Sequence, residues 1–562
     1  MPEDVFKREI GKQISKIIGR HIDIGEIEVP PSPEMGDYAF PCFLLAKELK
    51  KSPNEIAKDI GEKIKPEKDI ESIKVLGPYV NFFVKKASLN EKVLKEILKK
   101  KMKYGSGNLK KEKIMVEYVS PNTNKSLHLG HVRNALLGNA VSNILQFQGY
   151  KVIKTSLNND RGTGMSEAML GYLLYHKNET PKMKPDHFVA RCYVDYKKSE
   201  TEETKDNVQE LTLKWEKNNK EVRALWSKLT KWVYQGYKET YKALGIKFDK
   251  EYYESKIYKE GKDIVMSGLK KGIFQKKEDA IIAPLEKYGL PDKVLIKTDG
   301  TSLYMTQDLY LAKLKEKEFK VNRSIYVVAS EQDLHFKQLF KILELLNFKV
   351  AKKSYHLSYG LVNLPLGRMK SREGTVVDAD DVIEEVVDLA RKEIKKRYNK
   401  MPKKELERRA EAIGIGALKF FMVKFDNTTS FTYYPEKSLS FEGETGSYVQ
   451  YTYARICSIL KKVKISKKIK FTLLDNEEEK AITMMLNEFP NVVEKAALDY
   501  KPNLISRFLL DLCQAFNEYY HKHKVLDEDR ELKKARVLLC YCVRGVIEIG
   551  LRLLSIEVVE EM

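Results

Sequence analysis

The chain has 562 residues, with 101 Lys+Arg against 80 Asp+Glu and a formal charge of +21. Hydrophobic residues make up 43% of it, enough for real cores; a disordered chain is excluded, and roughly three or four domains of ordinary size are expected. No apolar run approaches the roughly 18 residues a membrane span needs, and Met1-Pro2-Glu3-Asp4 does not open as a secretory signal does.

Residues 1–105 read as a small α+β unit. It has an amphipathic helix over Val5–Ile18, a turn-rich stretch at Pro30–Asp37, helical patterns at Phe43–Leu49 and Pro53–Ile64, and an aromatic and β-branched strand at Tyr79–Val84. A Lys-rich helix and the turn Tyr104–Asn108 close the unit. Residues 113–120 then read as a buried strand, followed by a loop and a helix with Val132, Leu136, Leu137, Ala140, Val141, Ile144 and Leu145 on one face. Strand, loop and helix in that order open a nucleotide-binding α/β unit. A second apolar strand lies at Ile325–Ala329. Between them, about 195–245, charges of alternating sign indicate an exposed helical hairpin, an insertion near 190–250 in the sheet domain. Beyond about 385 the pattern is helical. The expected division is therefore 1–105, a sheet domain over 106–390, a basic connecting region over 391–445, and a helix bundle over 446–562. The fold class is multidomain α/β, with a Rossmann-like parallel sheet, an N-terminal α+β unit and a C-terminal all-α bundle.

Six cysteines, Cys42, Cys192, Cys457, Cys513, Cys540 and Cys542, are scattered without a C-x-x-C pair. No zinc site and no disulfide framework is expected, and a reducing cytoplasm fits best. The positive excess points to a polyanionic partner, nucleic acid first. A composition that simply uses lysine freely gives the same excess, and charge alone does not separate the two.

The segment richest in chemistry is Ser120-Pro121-Asn122-Thr123-Asn124-Lys125-Ser126-Leu127-His128-Leu129-Gly130-His131. It sits where a strand ends and a helix begins, and a helix N-terminus offers unpaired N–H groups and partial positive charge to phosphate. Gly130 lets a flat base or ribose approach the backbone. His128 and His131 can both turn toward phosphate oxygens, and Lys125 adds a cation. With no evident nucleophile, such a site suits nucleotidyl transfer by positioning and electrostatics. The same residues are compatible with two incidental histidines near a loop. A second element, Gly367-Arg368-Met369-Lys370-Ser371-Arg372-Glu373-Gly374-Thr375, is a basic loop of the kind that neutralises a departing pyrophosphate. A solvated basic turn is the commoner fate of such a run.

An H-x-G-H box followed by a basic, Met-containing loop resembles the class I aminoacyl-tRNA synthetases. The longer strings VEYVSPNTNKSLHLGH (116–131), TGSYVQYTYARICSIL (445–460) and GLRLLSIEVVEEM (550–562) are similar to the arginyl-tRNA synthetase family. GDYAFPCFLLAK (36–47) and GPYVNFFV (77–84) resemble that family's additional N-terminal tRNA-binding domain. The resemblance covers nearly the whole chain.

The resemblance implies roles residue by residue. A guanidinium calls for carboxylates that match its planar fork. Tyr304 and Asp308, spaced to share one side of a helix, match the family's guanidinium-binding pair. Glu117, Asn122 and Gln332 match its other arginine contacts. His128, Gly130 and His131 fall to ATP, with His335 and Val362 near adenine and ribose and Met369 in the basic loop. The implied reaction is arginine activation by ATP, with Mg²⁺ accompanying the nucleotide, then transfer to tRNA(Arg); bound tRNA is expected to be needed for the first step. The basic loop departs from the family's Lys-Met-Ser-Lys-Ser: Ser371 stands at the second lysine's position. Lys125 is the natural substitute, and Lys370 or Arg368 the alternatives. Tyr448, Tyr451, Tyr520 and Met562 match anticodon-loop contacts in the bundle, although each tyrosine suits helix packing equally. Asn81 and Phe83 are assigned to the tRNA elbow. The Lys runs at 99–111 and 461–470 meet phosphate or water. A monomer without membrane association is expected. Two other readings remain: a cysteinyl or glutamyl class I ligase, against which stand the missing zinc-type cysteines and the Tyr304/Asp308 pair, and a catalytically silent tRNA-binding paralogue.

Overall fold

A computed structural model describes residues 4–298, 300, 303–363, 365, 377–398, 400–466 and 468–562. The N-terminal unit is a three-stranded antiparallel sheet in the order β1–β3–β2, built from β1 (Tyr38–Pro41), β2 (Ile70–Leu76) and β3 (Tyr79–Val84). Helices Val5–Ile18, Phe43–Leu49, Pro53–Lys63 and Lys86–Lys100 pack with it. Asp4 caps the first helix by accepting from the Phe6 and Lys7 amides. Ser52 and Glu55 form a reciprocal cap at the third, the pairing that S-x-x-E signals.

The central sheet has five parallel strands: β4 (Lys113–Glu117), β5 (Lys151–Asn158), β6 (Lys250–Tyr253), and, after the small antiparallel sheet of β7 (Gln275–Lys277), β8 (Ala280–Ala283) and β9 (Lys293–Ile296), β10 (Arg323–Ala329) and β11 (Ser354–Tyr359). Their spatial order is β11–β10–β4–β5–β6. The chain steps from β4 to one neighbour, β5, and returns much later to the other, β10. The crevice between the C-terminal ends of β4 and β10 is therefore the topological switch point, where open α/β sheets bind ligands. A two-residue parallel pair, β12 (Val362–Asn363) with β13 (Phe431–Thr432), follows.

Three expectations change. The strand foreseen to 120 ends at Glu117, because Val119 and Ser120 take left-handed backbone with φ of 69° and 43°. The foreseen hairpin insertion is three helices, Pro185–Lys198, Glu202–Glu216 and Lys220–Ala243. Its first helix carries buried Phe188, Val189 and Cys192, and that apolar face was masked by the surrounding charge. The expected division at 390/391 falls inside the helix Ala379–Arg397.

The helix after β4, Leu129–Phe147, is buried along almost its whole length. Its Arg133, 1% exposed, donates to the carbonyls of Gly360, Asn427 and Thr429 and lies 4.5 Å over the Phe431 ring. At Gly138 a Cβ would stand 2.4 Å from the Tyr118 ring, so only glycine lets this helix lie against the end of β4. The C-terminal bundle, led by Gly446–Leu460, Glu477–Leu498, Asn503–Lys522 and Arg530–Leu553, joins the same core. Among the described residues no helix is long and apolar enough to cross a membrane. Gly138→Val is expected to lower unfolding stability by about 1–3 kcal/mol through overpacking, read as a reduced denaturation midpoint of the full chain.

Candidate active site

The turn between β4 and its helix is held in shape before any ligand arrives. The strained Val119 donates its N–H to Asn134 Oδ1 at 2.6 Å, and Ser120 Oγ accepts the Leu157 N–H at 3.1 Å. Asn134 Nδ2 reaches the Val327 carbonyl and the Tyr359 hydroxyl, tying helix, β10 and β11 together. Left-handed backbone at a β-branched residue costs of order 1–3 kcal/mol and persists only where its surroundings enforce it.

Both histidines are then oriented by the helix start. His128 is the cap; its Nδ1 accepts the Gly130 N–H at 3.1 Å, and His131 Nδ1 accepts the His128 N–H at 3.1 Å. A neutral imidazole that accepts at Nδ1 carries its proton on Nε2. The two rings, 3.8 Å apart between centroids, therefore present two Nε2–H donors. Burial, with Lys125 beside it, pushes His128 down to about 4, and burial holds His131 well below the ordinary histidine range. Both are uncharged at neutral pH.

Asn122, Lys125 and Tyr304 line one polar cavity of about 660 Å³ with Asn124, Asn159 and Arg161. This brings the amino-acid candidates Asn122 and Tyr304 to the cation beside the imidazoles. Tyr304 opens the helix Tyr304–Phe319 and is 72% exposed. One turn on, Asp308 accepts from His335 Nε2 at 2.7 Å. His335, expected near the adenine, thus meets Asp308. Glu117 is bonded to Lys315, whose side chain is 1% exposed and also lies 4.6 Å over the Tyr326 ring. Glu254, at the end of β6, lies 3.6 Å from Arg161 and is pushed up to about 7 by burial. The switch-point acids are thus partnered in the free protein.

Gln332 is exposed at the end of the turn after β10, beside the crevice. The Val362 side chain is buried in the core with Phe431, so a nucleotide can meet only its backbone. Arg368, Met369 and Lys370 lie outside the described residues.

In the bundle, Tyr448, Tyr451 and Tyr520 gather around Arg455 and Asn517. Asn517 donates through Nδ2 to the Tyr448 hydroxyl at 2.9 Å and accepts through Oδ1 from Arg455, whose guanidinium lies 4.9 Å from the Tyr451 ring and 5.4 Å from that of Tyr520. Met562 packs in one cluster with Phe441, whose ring lies edge-on 6.4 Å from that of Tyr451, and its carbonyl accepts from Tyr398. In the N-terminal unit, Phe83 is half-buried under the Lys74 ammonium. Asn81, assigned to the tRNA elbow, is only 2% exposed and packs beneath Gly36, so it does not reach the surface. Strand alternation placed 81 and 83 on one face; that the turn at Gly36 covers half of that face was not visible in it.

Residues the sequence did not single out include Lys315, Asn134 and Glu254. Lys315 had one signal: it lies seven positions after Asp308, on the same helix face. Among the described residues, Asp186, His187 and Asp380 come within 4.8 Å of one another with metal-ligand atoms. The Lys184 ammonium, 2.6 Å from Asp380 and 3.2 Å from Asp186, already supplies a cation there, so the cluster is an ion-pair clasp.

A parallel sheet whose switch point carries a buried imidazole pair at a helix start has the fold of a class I aminoacyl-tRNA synthetase. Three family models agree: "tRNA synthetases class I (R), catalytic domain" over residues 93–434, "DALR anticodon binding domain" over 449–562, and "Arginyl tRNA synthetase N terminal domain" over 4–84. An arginine–tRNA ligase of Treponema denticola is 41% identical over 97% of this chain and 96% of its own length. One of Bacteroides fragilis is 38% identical over the full length of both. The arginyl-tRNA synthetase structure of Thermus thermophilus has the same fold, with a TM-score of 0.84 at 24% identity, covering 99% of this chain and 100% of that one. The chain belongs to the arginyl-tRNA synthetase family.

The histidine geometry is testable in the free protein. Both imidazoles are expected to stay neutral in the Nε2–H form from pH 8 to pH 5.5, read by ¹⁵N NMR with His128→Asn and His131→Asn for assignment. Because the folded values lie below those of the unfolded chain, their contribution to stability is present above about pH 6.5 and is lost as pH falls toward 4.

Proposed function

We propose that this chain is an arginine–tRNA ligase that activates arginine with ATP at the β4/β10 crevice and transfers it to the 3′-terminal ribose of tRNA(Arg). The observation that carries the reading is the pair of neutral imidazoles with Nε2–H donors at a helix N-terminus, next to the cavity that Lys125 shares with Tyr304. In the first step an arginine carboxylate oxygen attacks the α-phosphorus, and the bond to the bridging oxygen of pyrophosphate breaks. The two donors and the helix N-terminus face charge that builds on the phosphate oxygens. Neutral histidines suit this role, since each gives a hydrogen bond and keeps its proton. Lys125 meets charge on the departing pyrophosphate. In the second step the ribose hydroxyl attacks the acyl carbon and AMP leaves.

Arginine's guanidinium binds Asp308, displacing His335 from the carboxylate, with Tyr304 over it and Asn122 and Gln332 on the amino-acid end. Glu117 acts through its pair with Lys315. Mg²⁺ arrives with the triphosphate, because the acids nearest the site are already partnered. The Tyr448–Tyr451–Tyr520 cluster reads unpaired anticodon bases by stacking and by hydrogen bonds through Asn517 and Arg455. Phe83 meets the elbow of the tRNA. The protein works as a cytoplasmic monomer, and bound tRNA promotes the activation step.

Pyrophosphate exchange with tRNA present should be driven by arginine and by neither lysine nor cysteine; exchange with cysteine alone would refute the pocket assignment. Asp308→Ala is expected to abolish arginine-dependent exchange while leaving the Kd for tRNA within about twofold. An equal loss of tRNA affinity would make Asp308 structural.

A further inference from the structure

The three-helix insertion touches the catalytic turn itself. Tyr237, on the helix Lys220–Ala243, is 2% exposed, and its single hydroxyl lies 2.9 Å from the Asn122 carbonyl and 2.6 Å from the Lys125 carbonyl. Those two carbonyls begin and end the four-residue turn that separates the amino-acid contact from the phosphate contact. One face of the same helix makes two further attachments. At Gly236 a Cβ would stand 2.0 Å from Asp186 Oδ1, so this helix and Pro185–Lys198 meet as closely as backbone allows. One turn after Gly236, Thr240 Oγ1 donates to Asp380 Oδ1 at 2.9 Å.

Asp380 belongs to the clasp, and the clasp closes on the histidine turn. Lys184 donates to Asp380 and to Thr240, both at 2.6 Å, and His187 Nε2 lies 2.8 Å from Asp380 and 3.2 Å from Asp378. His187, raised to about 10 by its bonds to Asp378 and Asp380, is an imidazolium through the neutral range. The backbone around Asp378 in turn pairs with the catalytic segment: the Leu129 N–H donates to the Val377 carbonyl at 3.2 Å and the Ala379 N–H to the Leu127 carbonyl at 2.8 Å. The insertion therefore grips residues 122–129 at both ends, through Tyr237 and through the clasp.

We infer that the insertion is the frame that positions the catalytic turn, and that Tyr237 is a positioning residue for arginine activation. The inference rests on reading that turn as the site where arginine and ATP meet. Tyr237 touches neither substrate. Its hydroxyl fixes the spacing between Asn122 and Lys125, hence between the attacking carboxylate and the leaving pyrophosphate. An error of about 1 Å in such spacing costs on the order of 10²-fold in rate.

Tyr237→Phe removes the hydroxyl and keeps the ring. The test measures pyrophosphate exchange of the full chain with tRNA bound, normalised to active sites titrated by adenylate formation, so that unfolded protein does not count. The expected result is a kcat per site about 10- to 100-fold lower, with KM for arginine and for ATP within about threefold and the Kd for tRNA within about twofold. Tyr241→Phe is the control: its hydroxyl is buried one turn away without a hydrogen-bond partner among the described residues, and its kcat should match the unaltered enzyme. A Tyr237→Phe kcat per site within twofold of that enzyme would overturn the inference, leaving Tyr237 a packing residue. Should the unaltered chain show no arginine-dependent exchange, the functional reading fails first and the inference falls with it.

Discussion

Two backbone hydrogen bonds, Gly130 N–H to His128 Nδ1 and His128 N–H to His131 Nδ1, are the constraint on which the rest of this site depends. They consume one nitrogen of each ring and fix the proton on the other. They need a helix start, because only there are N–H groups free to be accepted by a side chain. They also need the spacing of three, so that the second ring reaches back to the cap. Gly130 has a further role: a Cβ there would stand about 3.0 Å from the His128 ring. A protonated imidazole could not accept at Nδ1, so this geometry needs neutral rings, and burial, which lowers both pKa values, keeps them neutral.

The acids of the crevice show the opposite arrangement. In the free protein Asp308 is held by His335, Glu117 by Lys315, and Glu254 lies by Arg161. A pocket built to take a cation would otherwise hold several carboxylates in a partly dry space, and like charges there repel strongly. The resident partners Lys315, His335 and Arg161 relieve this. Glu117 is paired with a buried Lys315, whereas Asp308 is held by the imidazole of His335.

Much of this was legible in the sequence, for physical reasons that can be named. The H-x-G-H spacing encodes the capping geometry directly. The apolar face from Val132 to Leu145 encodes the buried helix behind it. The spacing of Tyr304 and Asp308 encodes a shared helix face. What stayed hidden is non-local. Nothing near residue 335 says that His335 meets Asp308 rather than a nucleotide, since the contact joins two helices from different parts of the chain. Tyr237 reads as one more aromatic in a charged helix; its meaning lies in two carbonyls more than a hundred positions away. β5 was obscured because Lys151 and Lys154 interrupt its apolar run, and Lys154 turns out to be an interface residue. Asn81 misled because strand alternation gives a face and says nothing of the loop that covers it.

Lys154 also explains how the bundle and the catalytic helix form one body. Its ammonium donates to Asn139 and Asn143, both at 2.9 Å, and those amides donate to Ser555 Oγ at 2.7 and 2.8 Å. Ser555, at φ 62°, is where the chain leaves its last helix, and its carbonyl accepts from the buried Lys419. Four polar side chains from β5, one helix and the C-terminal tail are thus satisfied by one another. A half-buried lysine with no carboxylate among these bonds depends on both amides, because losing either leaves its charge less well partnered. The tail therefore cannot shift without disturbing the helix whose first turn orients the imidazoles. That helix is thus held by Ser555 toward its far end and by the insertion's clasp at its start.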